Sequence, residues 1–206
     1  MQDTSFAGTS LLRADLETIA ELIPHHARVL DIGCGEGDLL AHMVQQKNID
    51  GRGIELLPMN VSTALNRGLT CIQGNADTDL VHYPDSCFDY AVSSNTLQAT
   101  VNPKTVLSEM LRIARHVVIS LPNFGYWYNR FYLLTKGRMP VSETLSYEWY
   151  ETPNIHFCTL KDFIILCEEL ECVVDRIIYL SASGQKQRTL FHNLLSEHGV
   201  FLLRRP

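Results

Sequence analysis

The sequence predicts an α/β fold: a mostly parallel sheet with helices on both faces. Apolar runs of strand length alternate with amphipathic stretches of helical spacing, and the first strand runs into a glycine-rich turn that opens a helix. Size agrees, since 206 residues that are 46% hydrophobic and 19% charged suffice for the core of one domain. No internal repeat, low-complexity tract or linker interrupts the chain.

The elements follow in order. Leu12, Leu16, Ile19, Ala20 and Ile23 recur at helical spacing, and Pro24 ends the run. Arg28 to Ile32 reads as a buried strand entering Gly33-Cys34-Gly35-Glu36-Gly37, followed by a helix with Leu39, Leu40, Met43 and Val44 on one face. Gly53 to Leu56 is the second strand. The next helix carries Val61, Ala64 and Leu65 and closes at Gly68 as its C-cap. Leu69 to Ile72 and Phe88 to Val92 are the third and fourth strands. Asn102 as N-cap and Pro103 at the first helical position start a helix whose Val106, Met110, Ile113 and Ala114 face inward. It leads into the fifth strand, Val117 to Leu121.

From Asn123 to Phe157 the rhythm breaks. These 35 residues hold 10 of the 18 aromatics, including Trp127 and Trp149, so the segment is expected to be a lid, an interaction surface or an added helical layer. Thr159 then caps a helix through Leu170. The strands Cys172 to Leu180 and Val200 to Arg204 are expected to pair as an antiparallel edge.

Composition excludes several functions. Seventeen Lys and Arg against 23 Asp and Glu give a net charge of −6, with no basic cluster to displace counterions from a nucleic acid. No apolar stretch approaches the ~18–20 residues that cross a bilayer. Met1 to Ser5 lacks the basic and apolar regions of a secretory signal, so a cytoplasmic protein is expected. The six cysteines form no C-x-x-C pair, which argues against a zinc ribbon or a disulfide framework and expects no metal.

A strand, a G-x-G-x-G turn and a helix bring backbone N–H groups against a ligand with no Cβ between them. Glu55 ends the next strand, 22 residues after Gly33, where an acid in nucleotide-binding α/β folds accepts hydrogen bonds from ribose hydroxyls. A dinucleotide such as NAD would bring a pyrophosphate to a loop flanked by Asp31, Glu36 and Asp38, and three carboxylates repel it. They suit S-adenosylmethionine, which presents an ammonium and a sulfonium.

The run Val29-Leu30-Asp31-Ile32-Gly33-Cys34-Gly35-Glu36-Gly37 closely resembles motif I of the class I methyltransferases. The resemblance implies a Rossmann-like fold of seven strands, mostly parallel with an antiparallel last strand, and the aromatic segment of about 123–157 as a helical insert. It implies that Asp31 and the glycines hold the methionyl part of the cofactor and that Glu55 holds the ribose. Gly74-Asn75-Ala76-Asp77 is similar to the adenine-contacting segment, with Asn75 where the family has Asp. Ser93, Ser94 and Asn95 lie at the carboxyl end of the fourth strand, where such sheets bind ligands. The expected cofactor-binding set is Asp31, Gly33, Cys34, Gly35, Glu55, Leu56, Asn75, Ala76 and Ser94, for S-adenosylmethionine or S-adenosylhomocysteine.

Rarer strings lie in the second half: Leu121-Pro122-Asn123-Phe124-Gly125, Gly137-Arg138-Met139-Pro140-Val141-Ser142, and Tyr147 through Thr159. With Thr96-Leu97-Gln98-Ala99 they resemble the MetW family of methionine-biosynthesis proteins over about residues 27–178. That resemblance implies a methyltransferase-like protein of methionine synthesis acting beside a homoserine O-acyltransferase, and it names no methyl acceptor. The alternative is an active methyltransferase on a small molecule. Its general base must reach the acceptor; His156 is the best-placed histidine, with Tyr147, Glu148 and Tyr150 as other candidates. The Asn-Pro-Pro-Tyr signature of DNA adenine methyltransferases is absent.

Overall fold

The computed structural model describes residues 12–142, 145 and 147–206, so the stretch Met1 to Ser5 read for a signal lies outside the described residues. Five strands are parallel and lie in the spatial order β3 (Thr70–Gln73), β2 (Asp50–Glu55), β1 (Arg28–Ile32), β4 (Phe88–Ser94) and β5 (Ala114–Pro122). β8 (His198–Arg204) follows, antiparallel to both β5 and the next strand, β6 (Val173–Leu180); β7 (Lys186–Gln187) forms the edge. The sheet thus has eight strands rather than seven, and the extra one is the two-residue arm of a turn after β6.

The last two long strands do pair antiparallel, but β8 lies inside the sheet rather than at its edge. Val200, Phe201 and Leu203 are fully buried, with Val200 in one core and Phe201 and Leu203 in the other. A near-continuous apolar run marks a strand covered on both faces. β6 carries exposed Asp175 and Arg176 and takes the outer place.

Two cores sandwich the sheet. On one face α1 (Ala14–Leu22), α2 (Asp38–Lys47) and α3 (Pro58–Asn66) cover Val29, Val92, Val118 and Val200. On the other, α5 (Pro103–Ile113) and α7 (Leu160–Glu169) cover Leu30, Ile32, Val117, Ile119 and Phe201. Alternate residues of each central strand therefore face opposite cores, as the pleat requires. The helix expected to close at Gly68 does so: Gly68 holds φ +76° just past α3 and its N–H donates to the Leu65 carbonyl at 2.9 Å. Thr159 caps α7 in a reciprocal box with Asp162.

Asn102 occupies the N-cap position of α5, but its side chain makes no capping bond. The carboxylate of Asp77, on the short α4 (Ala76–Asp79), instead accepts from the N–H groups of Val101 and Asn102 at 3.0 and 2.8 Å. A remote acid thus complements the positive end of this helix.

Among its described residues the aromatic segment contains one helix, α6 (Trp127–Lys136), and otherwise irregular chain. It is anchored at its root by Asn123, which is 2% exposed. The Asn123 amide donates to the carbonyls of Asn193 and Ser196 at 3.1 and 2.7 Å and accepts from the N–H groups of Gly125 and Leu160 at 3.0 and 3.4 Å. This clamp joins the end of β5, the start of α7 and the short α8 (His192–Leu195). Replacing Asn123 by Ala leaves several buried groups without partners. Urea denaturation of Asn123→Ala should show a loss of roughly 3 kcal/mol, within the cost of buried unsatisfied groups.

Candidate functional site

The strand order reverses between β1 and β4, and the turn after β1 opens at that point, where open α/β sheets place ligands. The N–H groups of Gly33 and Cys34 donate to the Ile54 carbonyl at 2.8 and 3.3 Å, laying the glycine turn along the end of β2. Its glycines are needed for different reasons. Gly33, at φ +73°, has Thr96 so close that a Cβ would meet its side chain at 2.4 Å. Gly35, at φ +56°, faces open space. Gly37, at φ +83°, would press a Cβ into Leu69.

Glu55 closes the site. Its carboxylate is 7% exposed and accepts from the N–H groups of Gly35 and Leu57, both at 2.9 Å, with Asn60 Nδ2 at 3.5 Å. Asp31 lies deeper, 2% exposed, and among the described residues no donor bonds its carboxylate. Burial and then the Glu55 charge push Asp31 up to about 7. A buried carboxylate facing a second acid, with no internal cation, is an environment that favours a positively charged ligand.

The other expected residues divide. The Cys34 side chain is buried beneath the turn with its Sγ 3.5 Å from that of Cys71, and burial holds the Cys34 thiol far above its usual range. Leu56 is exposed at the end of β2. Asn75 follows Gly74, whose N–H donates to the Glu55 carbonyl at 2.9 Å, so it adjoins the crevice. Its side-chain oxygen caps α4 through the Asp77 N–H at 2.9 Å, and Ala76 packs against the core. Ser94 belongs to another cluster: its hydroxyl donates to Asp15 at 3.0 Å and lies 3.0 Å from Arg13 Nη2 and 3.2 Å from Ser120 Oγ. Of the three loop acids, Asp38 is paired with Arg67 at 2.7 Å and Glu36 is exposed, so only Asp31 and Glu55 bear on the crevice.

Beside the crevice, α1 carries a group the sequence did not single out. Burial raises Asp15, but the Arg13 guanidinium and the Ser94 hydroxyl outweigh it and hold the carboxyl below its usual range. Asp15 and Arg13 line a cavity of about 870 Å³, together with Asn95, Gln98, Asn154 and His198. His156 does not line this cavity; it is exposed, with Nε2 3.4 Å from the Val101 carbonyl. His198 does, and burial lowers its pKa against the pull of Asp15 and Glu197, so it is neutral near pH 7. Of the remaining candidate bases, Tyr147 lines the cavity, while Glu148 and Tyr150 are exposed outside it. Thr96 and Gln98 lay in a string already singled out, but nothing local marked their contacts. Asp15 and His198 carried no local signal at all.

Asp31 gives the fold a pH dependence of definite sign. The unfolded chain ionises it near ~3.9, whereas the native state keeps the proton up to about 7. The native state then binds more protons between those values, so stability falls as pH rises from about 4 to about 7 and is level above. Asp31→Asn should remove that slope. Denaturant titrations should find it equal to the parent near pH 4 and more stable at pH 8, by a margin on the order of 4 kcal/mol.

The family model described as methionine biosynthesis protein MetW matches residues 13–203. A bifunctional methionine biosynthesis protein MetXA/MetW of Rhodopirellula baltica is 36% identical over 177 residues, 82% of this chain and 28% of that longer protein. Among solved structures, a SAM-dependent methyltransferase of Archaeoglobus fulgidus superposes with a TM-score of 0.70 at 14% identity, covering 93% of this chain and 92% of that one. A SAM-dependent methyltransferase of Thermotoga maritima, described as a possible histamine N-methyltransferase, does so at 0.67 and 16% identity, covering 94% and 88%. The fold is therefore that of the SAM-dependent methyltransferases, and the chain belongs to the MetW family of methionine biosynthesis proteins.

Proposed function

We propose that this protein binds S-adenosylmethionine where β1 and β2 end and acts in methionine biosynthesis with a homoserine O-acyltransferase. The observation that carries the cofactor reading is Asp31: a buried carboxylate, opposed by Glu55 and bonded by no donor among the described residues. The ammonium and sulfonium of the cofactor fit that field, and a pyrophosphate does not. On this reading Asp31 and the Gly33–Gly35 turn hold the methionyl part, Glu55 takes the ribose hydroxyls, and Asn75 with Ala76 borders the adenine. The Glu55 carboxylate already orders the turn through the Gly35 N–H, so the site is organised for the sugar in advance.

Support for a partner comes from the relative in which a MetW portion is joined to a MetXA portion in one protein. Trp149 and Tyr150, 68% and 65% exposed and packed edge to face, stand on the outside of the aromatic segment with Trp127 and Phe131. Exposed aromatics of this kind anchor protein interfaces. Tyr147, Pro153 and Asn154 instead wall the 870 Å³ cavity, so the segment serves two surfaces.

That cavity favours a second reading, an active methyltransferase. The cofactor supplies an electrophilic methyl group on sulfonium, and this chain would position the acceptor in the cavity with neutral His198 as its base. Isotope-labelled S-adenosylmethionine incubated with protein and cell extract separates the two; a labelled small-molecule product would defeat the purely partner-based reading.

Calorimetry with S-adenosylhomocysteine tests the crevice. Glu55→Ala should weaken binding by roughly 1.5–3 kcal/mol, the range for hydrogen bonds to a charged group. Gly35→Val should abolish it, since its side chain would enter the open space before the turn. A neutral Glu55→Ala would remove the ribose from this place. Trp149→Ala and Tyr150→Ala should leave cofactor affinity and thermal stability unchanged while abolishing co-elution with the acyltransferase in gel filtration; unaltered co-elution would move the interface elsewhere.

A further inference from the structure

Between β4 and α5 the chain makes a short 3-10 turn, Leu97–Ala99, within a loop that touches both the crevice and the aromatic segment. At the crevice Thr96 abuts Gly33. Thr96 Oγ1 lies 3.4 Å from the Gly33 carbonyl oxygen, and a Cβ on Gly33 would fall 2.4 Å from the Thr96 methyl carbon. Further along, the Asp77 carboxylate holds the N–H groups of Val101 and Asn102, and the Asp77 N–H is in turn bonded by Asn75. One loop therefore rests on the glycine turn at its start and on the segment 75–77 at its end.

The same loop carries the aromatic segment. The Gln98 carbonyl accepts from the N–H groups of Ile155 and His156, both at 3.0 Å, and Gln98 Nε2 donates to Asn154 Oδ1 at 3.3 Å. His156 Nε2 lies 3.4 Å from the Val101 carbonyl. Over residues 147–157, every hydrogen bond to the rest of the described chain is made to Gln98 or Val101. The loop between these contacts is stiff: Leu97, Gln98 and Thr100 are buried, and the Thr100 hydroxyl donates to the Leu97 carbonyl at 2.7 Å. A packed element passes a displacement on instead of absorbing it. This one leaves β4 through Asn95 at φ +50°, and Asn95 Oδ1 and Gln98 Oε1 are buried without a partner among the described residues. Left-handed backbone and unpaired buried acceptors both cost stability, so the joint is held away from its best hydrogen-bonding arrangement.

We propose that this loop couples the crevice to the aromatic segment, so that an adenosyl ligand bound at the glycine turn changes the outer face carrying Trp149 and Tyr150. The inference rests on the proposed cofactor reading and gives that site a regulatory output. A cationic ligand group drawn to Asp31 moves the turn, Thr96 follows Gly33, and the Gln98 carbonyl carries Ile155 and His156 with it. Such coupling is reciprocal: whatever binds the outer face changes the affinity of the crevice for its ligand by the same factor.

Both tryptophans of the sequence, Trp127 and Trp149, lie in the aromatic segment, which makes the coupling readable. Trp127→Phe leaves Trp149 as the single emitter, and S-adenosylhomocysteine is titrated into that full chain by calorimetry and by fluorescence. The Trp149 emission should shift with the midpoint of the heat signal. Amide exchange at Ile155 and His156 should slow by at least about fivefold, the lower end of ordinary coupling. Adding Thr96→Ala removes the contact with Gly33; this protein should still bind the ligand, with the Trp149 response reduced at least about fivefold. If circular dichroism finds Thr96→Ala unfolded, Thr96→Ser, which keeps the hydroxyl and loses only the methyl, is read in its place with the same expectation. Binding with an unmoved Trp149 emission and unaltered exchange overturns the coupling and leaves the cofactor reading standing. A full Trp149 response in the folded Thr96 variant also overturns it, since the ligand then reaches the segment by another route. Absence of binding removes the cofactor reading and the coupling together.

Discussion

The Glu55 carboxylate is the pin on which the site hangs. By accepting from the N–H groups of both Gly35 and Leu57 it fastens the turn after β1 to the end of β2, and three glycines at positive φ let that turn lie close enough to be held. The cost of this arrangement falls on Asp31, buried behind the turn and facing the same carboxylate, which raises its proton affinity to near neutrality. Stability and binding are therefore opposed at this one residue: the charge that destabilises the fold is the charge a cationic ligand would neutralise.

A second polar centre mirrors the first across the carboxyl ends of the strands. Asp15, on a helix before the first strand, gathers Arg13, Ser94, Asn95 and Ser120 around one buried carboxylate. Here the cation is built in, and the carboxyl is held low rather than high. The contrast explains why two buried acids of the same sheet end have opposite shifts. One is internally satisfied and ties together the ends of β4 and β5, and the other has no donor among the described residues. Beyond Asp15 the aromatic segment closes the cavity with Tyr147 and Asn154. The same segment turns Trp149 and Tyr150 outward, so what reads as one aromatic block along the chain is divided between a cavity wall and an external face.

Much of the fold was legible because it is local. β1 spans the residues its apolar run marked, α5 begins at Pro103, and Thr159 caps α7, each through interactions within one turn or one strand. The crevice was legible for a related reason. Glycines at a strand–helix junction and an acid ending the next strand are properties of adjacent segments, and parallel pairing of β1 with β2 brings them together automatically. The aromatic segment was placed but not interpreted, since periodicity reports whether a residue is apolar and not which neighbour it meets.

The sequence by itself determined the order of the seven long strands and of the helices α1, α2, α3, α5 and α7, the glycine turn, the acid opposite it and the family, all of which depend on residues within a few positions of one another or on matching strings. Tertiary structure alone decided the place of β8 inside the sheet, the substitution of Asp77 for Asn102 at the start of α5, and the meeting of Asp15, Gln98, Glu197 and His198 around one cavity. Those contacts join segments far apart in the chain. Their chemistry follows from burial and mutual distance, and the chain acquires those quantities only when it packs.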